Sequence, residues 1–369
     1  MDEPTRASID RGLRWLVRNQ NADGSWTSDA GNKVNEEYVV APGGKDVHHV
    51  GVTSLAILSF LAAGHAPGRG PYGKVVEHAL EFVLSCVQPG GYVARDQTRM
   101  YEHAFATLAM AEVYGMSHAP ELREKLQSAV EYTVKCQNDT GGWRYVPFTV
   151  DSDMSVTVCQ VVALRAARNV GLKVPQSTID RALAYVIQSA ITEDSYGDNE
   201  ETGAFFYQPS STRFNRSSFA LSAAGLTTLF QAGLYDNAAL AAYIDRRKLR
   251  TPPYPTIDAT VRYMNDHYRE VLSKFRGRHY FYFYGNYYAA QAMYNVGGTD
   301  PQKWEDWYNR VRRDLLSLEV RARSGANPDG GGTGGEESYW ESNVAPSFST
   351  AVAILILAMP FDYLPIHQR

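Results

Sequence analysis

One pattern constrains this chain more than any other, because it occurs twice. Arg11-Gly12-Leu13-Arg14-Trp15-Leu16-Val17-Arg18-Asn19-Gln20 leads into Gly24-Ser25-Trp26. Ala129-Val130-Glu131-Tyr132-Thr133-Val134-Lys135-Cys136-Gln137 leads into Gly141-Gly142-Trp143. Both read aromatic, aliphatic or Thr, three residues, Gln, three residues, Gly, one residue, Trp. A recurring unit of this kind is one supersecondary element that must bury its apolar face against copies of itself, so architecture is fixed before any single residue is interpreted.

Helical periodicity dominates the chain and strand-like alternation is nearly absent. Each unit reads as an amphipathic outer helix, a loop with Gly and an aromatic residue, and an inner helix apolar nearly all round. The expected pairs are 8–20 with 50–64, 74–88 with 101–115, 121–137 with 154–170, and 178–191 with 217–233. The fifth unit has an outer helix over 238–250, a Pro-rich segment from 251 and an extra helix through Ile257, Val261, Met264, Tyr268 and Leu272. Its inner helix covers 280–296. The sixth pairs 301–318 with 347–359. We therefore expect an all-α chain, an (α/α)6 toroid occupying 1–369 as one domain, with the inserted segment at about 251–276. An open solenoid normally carries polar terminal caps, whereas the last inner helix contains the apolar run 351–357, which favours ring closure.

Connections from inner to outer helices are short and those from outer to inner helices are long, so the long loops collect on one rim. That rim also carries the N-termini of the inner helices, whose unpaired N–H groups favour anionic or carbonyl-bearing ligands. Function is expected there.

Net charge is −4 with acids and bases interspersed and no polybasic run, which argues against nucleic acid as a partner. The apolar runs 50–63 and 344–359 are too short or too interrupted to span a bilayer, so a soluble chain is expected. Cys86, Cys136 and Cys159 sit in no paired spacing and read as small core residues. No signal peptide is read, but loss of a targeting segment would look the same. The compartment stays open between cytoplasmic and exported, as does the oligomeric state.

The helix ending in Gln, then Gly-x-Trp, resembles the Gln-Trp repeat of squalene–hopene and oxidosqualene cyclases, in the terpenoid cyclase and protein prenyltransferase superfamily of α/α toroids. The first unit matches that pattern at every specified position, and the second copy lacks only the leading basic residue. His103-Ala104-Phe105-Ala106-Thr107-Leu108-Ala109, the stretch 284–293 and the ending 363–369 extend the likeness to stand-alone bacterial "prenyltransferase and squalene oxidase repeat" proteins. The resemblance implies an isoprenoid or lipid-like ligand. It also implies that Gln20 with Trp26, and Gln137 with Trp143, tie outer helices together.

Asp151-Ser152-Asp153-Met154 falls where the cyclases carry Asp-x-Asp-Asp. By that resemblance Asp153 is a general acid and Asp151 its partner, driving a proton-initiated cyclisation or isomerisation. Met154 replaces the third Asp, and an Asp at a helix start is independently expected as a cap. The Asp-x-Cys of zinc-dependent prenyltransferases is missing, so no cofactor or metal is expected. His48, His49, His103 and His279 lie by repeat placement near the rim, as acid–base groups or as satisfied core histidines. Tyr280, Tyr284 and Tyr288 stand on the densest aromatic stretch, for a cation, a sugar or plain packing. Arg213 and Arg216, with Arg278 nearby, offer charge to an anion or are ordinary rim charges. Gly330, Gly332 and Gly335 have no strand–helix context and read as a loop.

Two rivals stand beside the isoprenoid reading: a non-catalytic binding or scaffolding toroid, and a polysaccharide lyase or hydrolase. An apolar blind cavity opening beside Asp153 favours terpenoids, and an open groove with exposed Tyr favours sugars.

Overall fold

Asp2 accepts from the Thr5 backbone N–H at 3.1 Å and Pro4 follows, so the first helix, α1 (Glu3–Arg18), starts one turn earlier than its apolar pattern suggests. Ile9, Leu13 and Leu16 on one face are buried. The computed structural model describes residues 2–34, 37–117, 120–195, 201–209, 217–275, 277–322 and 336–367. The Gly330, Gly332 and Gly335 loop and both Arg213 and Arg216 lie outside them.

Among the described residues the inner helices are α2 (Val50–Ala62), α4 (Met100–Ser117), α6 (Met154–Asn169), α8 (Phe219–Gln231), α11 (Tyr280–Gly297) and α13 (Pro346–Ala358). Each packs against the next and α13 packs against α2, so the six close into a ring. Closure explains why α2 and α8 are buried at every position: neighbours stand on both sides, an outer helix covers the back and the bore lies in front. The chain is an (α/α)6 toroid.

The outer layer contains α1, α3 (Gly73–Ser85), α5 (Pro120–Cys136), α7 (Gln176–Ser189), α10 (Ile257–Phe275) and α12 (Pro301–Leu318). In the fifth unit the sequence assignment is reversed. It is α10 that packs between two inner helices, α8 and α11, as α5 does between α4 and α6. The additional element is α9 (Asn237–Arg247), whose Arg247 pairs with Asp180 of α7 at 2.7 Å. Both segments are helical by pattern, and only the tertiary neighbours decide which one closes the outer layer.

The Gly turns fix this spacing. Gly141 has φ +93° and a Cβ there would meet the Arg181 carbonyl of α7 at 2.4 Å, so only Gly allows the loop to seat on the next outer helix. Gly203 approaches the Ala259 carbonyl of α10 in the same way, which again marks α10 as the fifth outer helix.

Gln20 and Gln137 act across the same joints. Gln20 Nε2 donates to Gly24 O at 3.0 Å and to Val75 O of α3 at 2.9 Å, and Gln137 Nε2 donates to Gly141 O and to Thr178 O of α7. Trp26, Trp143 and Trp340 are one device used three times. Each indole donates to an outer-helix carbonyl (Leu16, Thr133, Leu315), and each backbone N–H donates to an inner-helix Thr hydroxyl (Thr53, Thr157, Thr350).

Strands, nearly absent from the sequence reading, occur among the described residues as three small antiparallel pairs in the loops. β1 (Thr27–Ser28) pairs with β4 (Val47–His48), β2 (Gly31–Val34) with β3 (Glu37–Val40), and β5 (Val320–Ala322) with β6 (Glu337–Tyr339). Runs of two to four paired residues are too short for alternation to register. At the far end of the ring a 3-10 turn (Pro365–His367) packs on α4 and α6. No helix among the described residues is long and apolar enough to cross a membrane.

Candidate functional site

Every inner helix begins at the long-loop rim, and its first turns face a cavity of about 760 Å³. Gly51, Val52 and Leu55 of α2 line it, as do Tyr101, Glu102 and Phe105 of α4, Ser155 of α6, Leu221 of α8, Tyr284 of α11 and Phe348 of α13. The β2–β3 hairpin roofs one side with Asn32 and Tyr38, and the loops add Arg99, Arg144, Tyr145, Tyr207 and Gln208. The cavity thus lies at the long-loop rim, the place where the loop lengths lead one to look for function.

The caps of the inner helices decide which side chains enter. His49 precedes α2 and its Nδ1 accepts the Val52 N–H at 3.2 Å; His279 precedes α11 and accepts the Phe281 N–H at 3.1 Å. A backbone donor on Nδ1 fixes the neutral tautomer with its proton on Nε2. His49 therefore turns an N–H toward Glu102, whose Oε1 is 3.7 Å away, and burial lowers the His49 pKa, keeping the ring neutral. Glu102 is itself anchored: its Oε2 accepts the Arg99 N–H at 2.6 Å, the return bond of a capping box. Arg99 in turn donates to Asn32 of the hairpin at 2.9 Å.

Asp153 caps α6. Its Oδ1 accepts from the Val156 N–H at 2.9 Å and the Ser155 hydroxyl at 2.6 Å. It is fully buried and absent from the cavity wall, and burial raises its pKa to about 6 against the lowering effect of those hydrogen bonds. Ser155 stands between it and the cavity and accepts from the Tyr101 hydroxyl at 2.6 Å. Asp153 Oδ2 and Arg144 Nη1 face each other at 3.7 Å, and each is buried without a hydrogen-bond partner. Asp151 is largely exposed and reaches Arg144 Nε at 3.5 Å. Asp151 and Asp153 thus meet through Arg144 rather than as a shared carboxyl pair.

Tyr284 lines the cavity and donates to Ser155 O at 3.0 Å. Tyr280 also lines it, edge-on to Tyr38 at 5.7 Å, and its buried hydroxyl has no hydrogen-bond partner. Tyr288 lies deeper, outside the wall, with its hydroxyl 3.0 Å from Cys159 Sγ. His103 is also away from the wall. Its Nδ1 accepts the Val93 N–H at 3.1 Å, its Nε2 meets Thr133 at 2.9 Å, and burial lowers its pKa to about 3. It holds the second loop where Thr53 and Thr157 hold the others. His48 pairs with Asp23 at 2.6 Å, outside the cavity wall. Arg278, also outside the wall, pairs with Glu341 at 3.2 Å.

Sequence reasoning missed Arg99, Tyr101, Glu102, Arg144, Tyr145 and Tyr207. In α2 and α4 the second, third and sixth residues line the cavity, so aligning α4 on α2 brings out Tyr101, Glu102 and Phe105, whereas Arg99, Arg144, Tyr145 and Tyr207 precede helices or stand in loops and carry no such periodic mark. No group of three or more His, Cys, Asp or Glu that could hold a metal occurs among the described residues.

Solved structures with the same fold span nearly the whole chain. An inactive variant of the α-1,6-mannanase of Salegentibacter sp., in complex with α-1,6-mannotriose, is 12% identical with a TM-score of 0.56, covering 96% of this chain and 99% of that one. The cellobiose 2-epimerase of Spirochaeta thermophila is 14% identical with a TM-score of 0.59, covering 97% and 96%. A family 76 glycoside hydrolase (mannosidase) of Bacteroides thetaiotaomicron is 11% identical with a TM-score of 0.57, covering 96% and 97%. At these identities the likeness is one of fold. No curated protein sequence matches the chain. The sequence itself matches the prenyltransferase alpha-alpha toroid domain over residues 2–201 and 256–368, and the chain belongs to that family.

Proposed function

We propose that the rim cavity binds a saccharide and acts on it by acid–base chemistry, as a hydrolase, lyase or epimerase built on an α/α toroid. The observation that carries this reading is the make-up of the wall: the rings of Tyr38, Tyr101, Tyr145, Tyr207, Tyr280 and Tyr284 share it with Arg99, Glu102, Arg144 and His49. Flat rings stack on the C–H faces of sugars, and fixed polar groups between them hydrogen-bond the hydroxyls that encircle each sugar ring. The Tyr280 ring, edge-on to Tyr38 at 5.7 Å, gives the wall one such face. The fold neighbours named above act on mannans and on cellobiose, which supports the same reading.

Glu102 is our candidate for the group that exchanges a proton with the sugar, with the His49 N–H beside it to stabilise a developing oxyanion. The isoprenoid reading rests on the repeat resemblance, with Asp153 as acid. It asks for an apolar blind cavity beside that carboxyl, and here Ser155 and Tyr101 intervene. We therefore place it second.

Incubating the chain with mannan, cello-oligosaccharides and squalene, and following products by mass spectrometry, separates the two. Conversion of a saccharide, reduced at least about a hundredfold in Glu102→Gln with binding retained, is expected for an acid–base group. Turnover unchanged in Glu102→Gln removes that assignment. Saccharide binding without turnover leaves a binding toroid, and squalene turnover restores the cyclase.

A further inference from the structure

Asp153 is the most buried carboxyl near the site, and its surroundings are directional. Tyr101 Oη donates to Ser155 Oγ at 2.6 Å, and Ser155 Oγ donates to Asp153 Oδ1 at 2.6 Å. Tyr101 lies in the cavity wall and Asp153 behind it. We infer that Tyr101, Ser155 and Asp153 form a proton relay by which the buried carboxylate withdraws a proton from the cavity without touching the ligand. This deepens the acid–base reading above, yet its existence does not depend on which ligand binds.

The step balances as a concerted shift. A ligand X–H bond breaks and its proton forms a new O–H bond on Tyr101, the electron pair staying on X. The original Tyr101 proton moves to Ser155, and the Ser155 proton moves to Asp153 Oδ1. Each hydroxyl gains one proton as it loses one, so neither has to carry the negative charge. The charge that disappears is that of Asp153.

The groups facing Asp153 let it be the one that changes. Tyr101 from α4 and Tyr284 from α11 have pKa values raised well above the usual range by burial. Burial also raises Tyr185 of α7 and the loop residue Tyr207, and holds Tyr145 and Cys159 at about 12. All of these stay protonated near neutrality. Arg144 is the fixed positive charge, 3.7 Å from Asp153 Oδ2, and it is shared with the exposed Asp151. Asp153 itself, raised to about 6 by burial, sits where a group can take up and return a proton.

Infrared difference spectroscopy on the full chain, ligand-free and with 13C-labelled tyrosine, tests the relay. Raising the pH through about 6 should remove the C=O band of a buried carboxylic acid. It should also shift a tyrosine band in step. Asp153→Asn keeps a capping side chain and should abolish both changes. Tyr101→Phe should keep the carboxyl change and lose the tyrosine shift. Ser155→Ala should raise the carboxyl midpoint, since the Ser155 hydrogen bond lowers it, and uncouple the tyrosine; Ser155→Thr should restore both. A tyrosine shift absent from the wild type, or persisting in Ser155→Ala, overturns the relay. Either result leaves saccharide binding untouched, and a chain that binds no saccharide can still show the coupled bands.

Discussion

At Asp153 two demands compete. The carboxylate is the cap that α6 requires, and its complete burial penalises the charge that makes it a good cap. Burial wins: the pKa rises from 3.8 to about 6. The folded state therefore holds a proton that the unfolded state releases at lower pH, so stability falls as pH rises between those two values. We expect wild type to lose about 3 kcal/mol relative to Asp153→Asn between about pH 4 and 7, at about 1.4 kcal/mol per pKa unit. Urea unfolding at both pH values measures it, and a difference independent of pH rejects the burial argument. The capping role was legible because Asp before an apolar helix is a local signal. The burial was not, because it comes from Tyr145, Tyr207 and Arg144 on loops that the sequence does not place.

Among elements, the same outer-to-inner joint recurs at different sequence spacings. Trp340 repeats the contacts of Trp26 and Trp143, but 25 residues separate it from Leu315 where the other two joints have ten. An insertion of that size erases the Gln-to-Trp spacing while leaving the contact intact. The exchange of α9 and α10 has a similar origin, since amphipathicity reports that a face is buried and not what buries it.

The closing turn at the far end of the ring carries a second buried carboxyl. Glu112 of α4 accepts the Ile366 N–H at 3.3 Å, its other oxygen is unpartnered, and burial raises its pKa from 4.5 to about 8. Stability from the neutral form is present below 4.5 and lost as pH rises through about 8. Glu112→Gln keeps the acceptor without the charge. It should match wild type near pH 5 and exceed it by on the order of 4 kcal/mol above pH 8. Equal stabilities at high pH, read from denaturant midpoints, would show that water reaches this carboxyl.

For the molecule as a whole, closure depends on contacts between the two ends of the chain. Arg11 of α1 grips Glu319 with two hydrogen bonds of 2.8 and 2.9 Å, both side chains being nearly buried. Ser347 of α13 donates to Thr27 O at 2.7 Å. Arg11→Met leaves the Glu319 charge buried without its cation, held only by the Ser338 hydroxyl, for which we expect a loss of about 3 kcal/mol; adding Glu319→Leu should recover most of it. A double-mutant cycle with no coupling contradicts this account of closure. The ring was legible from the apolar last inner helix and the repeat. The bond that locks it spans nearly the whole chain and leaves no local mark.

The central claim is that the rim cavity takes a sugar, and calorimetric titration of the full chain with a panel of neutral oligosaccharides and linear isoprenoids tests it most directly. The expected result is saturable binding of a saccharide, retained in Glu102→Gln and weakened about tenfold in Tyr280→Ala, the ~1.4 kcal/mol of one ring contact. Saturable binding of an isoprenoid that Tyr280→Ala weakens, with no saccharide bound, would contradict it.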